Sequence, residues 1–86
     1  MKPTAVARVR ADCEVKEFER GILIAPDIAL NDTAAFVFRA LDGKRSVIDV
    51  ANAVAGAYAV GREEAVEDVI AILEHLEESG VVQVER

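Results

Sequence analysis

Residues 29–50, ALNDTAAFVFRALDGKRSVIDV, constrain the fold more than any other stretch. They hold a helix start, an apolar helix, a stop and a second helix start in immediate succession. Asn31 or Asp32 can cap the first helix, because either side chain accepts from backbone N–H groups two or three residues on. Leu30, just before the cap, suits a hydrophobic staple. The helix is predicted to run to about Leu41 and to stop at Asp42-Gly43, where glycine tolerates the left-handed conformation that other residues resist. Ser46 and Asp49 have capping-box spacing, with Asp replacing the usual Glu. The second helix is predicted to reach about Tyr58, with Gly61 in the following turn. A third runs from near Arg62 to Ser79-Gly80, its early acids suiting the positive end of the helix dipole. Residues 81–84 read as a short terminal strand or an extended tail.

Upstream, residues 6–18 alternate loosely with period two. Ala11, Cys13 and Val15 point one way, and Asp12, Glu14 and Lys16 the other, which predicts one half-buried strand. Residues 22–25 form a continuous apolar run that fits a buried strand. Pro26-Asp27 breaks it, and Ile28-Ala29-Leu30 is a third short strand. Three short strands in succession suggest an antiparallel meander. The fold class is therefore α+β: a three-stranded antiparallel sheet followed by three helices, winged helix-turn-helix-like. Residues 1–86 read as a single domain, with residues 1–7 assigned to a disordered lead-in.

Composition removes several functions. The chain has 86 residues, and its apolar runs are too short for a transmembrane helix, which needs about 20 apolar residues. The basic start lacks a signal-peptide apolar segment, so a cytoplasmic location is expected. Cys13 and His75 are the only cysteine and histidine. They exclude a disulfide framework and a two-histidine zinc site within one chain. A Cys13–His75 catalytic pair would need a long-range coincidence, and a cysteine in an alternating strand is more simply a small apolar group. No glycine-rich phosphate loop and no marked acid/base couple is present. No catalytic residue, metal or cofactor is expected.

Net charge is −6, and its distribution matters more than its size. Residues 62–79 contain seven acids, Glu63, Glu64, Glu67, Asp68, Glu74, Glu77 and Glu78, against Arg62 alone. A polyanion is a poor partner for that helix.

The same helix carries surplus apolar surface. Val66, Val69, Ile70 and Leu73 make a core-facing stripe, which Leu76 widens. Ala65 and Ile72 extend the arc to roughly 160°, where about 100° serves a core-facing helix. Either the sheet or tail covers the excess, or it forms the wall of an apolar groove beside the third strand, with Asp68 and Ser79 on the rim. Phe36 lies off the Val37, Phe38 and Leu41 face of the first helix. It is a candidate partner or homodimer contact, or it packs under the N-terminal segment.

Residues 30–47, LNDTAAFVFRALDGKRSV, resemble the PqqD family. Further matches are Val66-Glu67-Asp68-Val69 leading into Leu73 and Leu76, then Ser79-Gly80-Val81-Val82. The segment before Pro26 departs from the family pattern, and Phe36 occupies a position that is often polar. The resemblance implies a RiPP recognition element, a winged-helix-like module that binds the leader of a ribosomally made precursor peptide. It implies a non-enzymatic peptide chaperone that presents the leader to a modifying enzyme, either a radical SAM protein or a lasso-type leader peptidase. In that family the leader adds as a strand to the third strand and lies against the third helix. Carried onto this chain, the implied peptide-binding residues are Ile28, Ala29, Leu30, Ala65, Asp68, Ile72 and Leu76. The alternative is a winged-helix DNA-binding regulator, which the acidic third helix disfavours, since DNA affinity draws on Lys and Arg.

Overall fold

The computed structural model describes residues 1–19 and 21–85. The chain runs β1 (Val6–Val9), β2 (Val15–Phe18), β3 (Gly21–Ile24), β4 (Ile28–Leu30), α1 (Asp32–Ala40), α2 (Val47–Tyr58), α3 (Arg62–Glu78) and β5 (Val82–Glu85). Strands β2, β3 and β4 form an antiparallel sheet in that order. Strand β1 pairs antiparallel with β5 in a separate ribbon. The three-stranded sheet and three helices predicted from the sequence are present, and the ribbon is added to them.

The single strand expected over residues 6–18 is two strands. Its first part leaves the sheet because its partner, β5, lies at the far end of the chain, where no local pattern discloses it. Arg8 and Glu85 form an ion pair across the ribbon. A turn separates β1 from β2, with the Cys13 N–H donating to the Arg10 carbonyl at 3.3 Å. The disordered lead-in is also overturned. Ala5 and Ala7 are 4% and 2% exposed. The Ala5 carbonyl accepts from the Val47 N–H at 2.9 Å, which ties the N-terminus to the start of α2.

The helix boundaries follow the capping chemistry. The Asn31 side chain accepts from the Ala34 N–H at 3.0 Å, so Asn31 is the cap of α1. Both bonds of the Ser46–Asp49 capping box are made. The stop after α1 differs from the expected glycine cap. The chain leaves the helix at Leu41 in an extended conformation, and Gly43, at φ +78°, lies in the turn beyond. Asp42 organises that turn by accepting from the Lys44 and Arg45 N–H groups, both at 2.9 Å.

Two apolar clusters fill the interior. One joins the helices, with Val37, Val47, Val50, Val54, Val69 and Leu73 at its centre and Ala5 and Ala7 of the N-terminal segment closing it. The other lies under the sheet, where Ile22, Ile24 and Leu30 meet Phe38, Leu76, Val81 and Val82. Among the described residues, no helix is long and apolar enough to cross a membrane.

Candidate functional site

The sheet ends on β4, whose outer side has no strand partner among the described residues. The segment is Ile28-Ala29-Leu30, without a charge to discourage pairing. The opposite edge, β2, carries Lys16 and Glu17 and is exposed throughout. Charged side chains are a usual way to blunt an exposed edge, so the two edges are unequally protected. The β3–β4 register pairs Ile22 with Leu30, Leu23 with Ala29 and Ile24 with Ile28. Ile28 and Leu30 therefore face the cluster under the sheet, while Ala29 faces outward. Leu30 is buried, Ile28 half-buried and Ala29 exposed.

Helix α3 is the second element of the expected site. Its buried residues are Ala65, Val69, Leu73 and Leu76. The core face is thus rotated from the stripe expected around Val66 and Ile70, which are only half-buried. Ala65 and Leu76 are each 0% exposed. This corrects their assignment to a groove surface. Ala65 belongs to the cluster joining the helices, where its small side chain permits close approach, and Leu76 lies beneath the sheet.

Ile72 alone of the expected apolar wall keeps an accessible side. It is half-buried and packs against both clusters. Ile28 packs against the second of these clusters as well. Asp68 is exposed one turn before Ile72, with no ion-pair partner among the described residues. His75 and Ser79 share that flank by helical spacing and are exposed. No local pattern marks His75 as a rim residue; only the orientation of α3 in the fold puts it on this flank.

Phe36 is not an exposed patch. It is half-buried, and its ring meets Tyr58 edge-on with centroids 5.6 Å apart. Tyr58 carries the exposure of that pair, at 41%. Cys13 is half-buried and its thiol donates to the Val81 carbonyl at 3.6 Å, a packing role beside the sheet. No group of three or more His, Cys, Asp or Glu residues is placed to hold a metal ion among the described residues.

The family model for Coenzyme PQQ synthesis protein D (PqqD) matches residues 21–82. The chain belongs to the PqqD family. No curated protein sequence matches it. Three solved structures share the fold of this PqqD-family chain. TbiB1 in complex with the TbiA(beta) leader peptide superposes with a TM-score of 0.80 at 11% identity, covering 88% of this chain and 94% of that one. Lasso peptide synthetase B1 complexed with the leader peptide gives 0.75 at 29% identity, with 90% and 96% covered. The PqqD truncation of Methylobacterium extorquens PqqCD, described as a functional, stand-alone RiPP recognition element, gives 0.75 at 22% identity, with 96% and 99% covered.

Proposed function

We propose that this chain binds the leader of a ribosomally made precursor peptide as an added strand on β4 and presents it to a modifying enzyme, without turnover of its own. The observation that carries the reading is the uncharged, unpaired edge of β4, with half-buried Ile28 and Ile72 packed against the same apolar cluster. Family membership and the two similar structures that hold leader peptides support it. The modifying enzyme is a radical SAM protein or a leader peptidase, the partner classes that the family resemblance implies.

Strand addition suits an extended peptide because edge N–H and C=O groups supply affinity while alternate side chains supply selectivity. Hydrogen bonds alone do not suffice. Each nets about 0.5–1.5 kcal/mol, whereas ordering a peptide residue costs about 1–2 kcal/mol. Apolar anchors at about 1.5–3 kcal/mol each provide the surplus. Ile28 and Ile72 form the accessible apolar lining for them, backed by buried Leu30 and Leu76, with Asp68 on the rim. Ala65 lies too deep to touch the peptide and sets the position of α3 instead.

The DNA-binding alternative has no support. Helix α3, the would-be recognition helix, exposes Glu63, Glu64, Glu67, Asp68, Glu74 and Glu78. These charges repel phosphates.

Calorimetric titration with synthetic peptides spanning the short reading frames beside the gene tests the proposal. One of them is expected to bind wild type and to bind Ile72→Glu at least tenfold more weakly, because the added charge would be desolvated under the incoming strand. Normal leader binding by a folded Ile72→Glu variant would overturn the docking site.

A further inference from the structure

The outer face of the three-stranded sheet carries apolar residues that neither cluster uses. Phe18 is 58% exposed. By the strand register, Lys16, Leu23 and Ala29 form one outward row across the sheet, and Phe18 and Gly21 are opposite each other in the next. A depression of about 310 Å³ lies there, lined by Phe18, Gly21, Ile22, Leu23, Ala29 and Leu30. Its floor is open because Gly21 has no side chain. A Cβ at Gly21 would overlap the Leu30 carbonyl oxygen, so close backbone approach requires glycine at this point.

The depression reaches the unpaired edge through Ala29. Side chains of a strand alternate between the two faces of a sheet. A peptide added to β4 therefore directs one set of side chains towards Ile72 and the other outward beside Ala29. Neighbouring strands are about 4.8 Å apart, so Leu23 lies roughly 10 Å from the added strand. Ala29 is too small to fill the space between. A long or aromatic apolar side chain can cross Ala29 to reach the depression at Leu23, whose far side Phe18 lines, whereas a short polar one leaves it wet.

We propose that the outer face is a second reading surface for the same peptide, taking a bulky apolar side chain that alternates with those entering the groove. This rests on strand addition at β4. It makes the recognised segment apolar on both faces, where a groove-only reader would leave the outward positions free.

A displayed library of random peptides about a dozen residues long, selected on the whole chain, tests it. Binders are measured against wild type, Ile72→Glu, Leu23→Thr and Phe18→Ser, each checked by thermal melt. Phe18→Ser removes a largely exposed ring, so it keeps the test open if Leu23→Thr fails to fold. Alanine scanning of a binder is expected to reveal anchors at alternating positions. Truncating an outward anchor should weaken binding about tenfold in wild type, as loss of a packed anchor does, and much less in Phe18→Ser. Truncating an inward anchor should keep its effect in Phe18→Ser and lose it in Ile72→Glu. Binders that depend on Ile72 but tolerate alanine at every outward position overturn the second surface and leave the groove standing. Binders indifferent to Ile72 overturn both.

Discussion

The cluster joining the three helices is capped by the N-terminal segment, whereas the cluster under the sheet runs out at an unpaired strand. In the first, valines and alanines of α1, α2 and α3 interlock, and Ala5 and Ala7 cover one side. In the second, Ile22, Ile24 and Leu30 are buried but Ile28 beside them is only half covered. The difference separates two tasks. A closed core contributes stability because each side chain is removed from water on folding. An open edge keeps backbone donors and apolar surface available to a second chain, which is what strand addition needs. Ile72 touches both clusters and marks the seam between them.

Leu73 and Ile72 are the sharpest way to break this contrast. Leu73 is 1% exposed. Leu73→Ala is expected to destabilise the chain by about 2–5 kcal/mol, the usual transfer-plus-cavity cost. Ile72→Glu should cost about 1–2 kcal/mol, because its carboxylate can turn to solvent while its methylenes stay packed. Denaturant melts of both variants measure the gap. Equal losses would place Ile72 in the closed core and remove the groove wall.

A smaller effect is expected at the end of α2. Ala59 sits at φ +54°, a left-handed conformation disfavoured for a residue with a Cβ. Ala59→Gly should stabilise the chain by about 0.5–1 kcal/mol after the glycine's greater unfolded-state entropy is offset. Peptide affinity should stay unchanged, since the site borders the closed cluster. A matching change in affinity would show that the two regions are energetically coupled.

The smallest effect concerns the turn between α1 and α2. The Arg45 and then the Lys44 backbone N–H groups donate to Asp42 and hold its carboxyl below the usual carboxylate range. A depressed folded-state pKa means that this contribution is present above the unfolded pKa and is lost as pH falls through the folded one. The Tm difference between wild type and Asp42→Ala should therefore narrow on acidification. A difference that stays constant with pH would remove the charge from the turn's stability.

Local chemistry made much of the helical half legible. Asn31, Ser46 and Asp49 are where the sequence places them because capping depends on groups two or three residues apart. The candidate edge was legible as well, since Pro26-Asp27 and Asn31 delimit Ile28-Ala29-Leu30. The depression on the outer face was not. It needs Phe18 on a strand distinct from β1, and the loose alternation of residues 6–18 hides the break.

By itself, the sequence determined the helix limits, the three-strand sheet and the acidic outer face of α3, all through interactions spanning a few residues. The tertiary structure decided which side of α3 is buried. Helical periodicity defines a broad apolar arc, but only packing against α2 and the sheet turns Ala65 and Leu76 inward and leaves Ile72 at the margin. It also decided the fate of the first residues. Pairing of β1 with β5 joins the two ends of the chain, and a contact at that separation leaves no trace in local pattern.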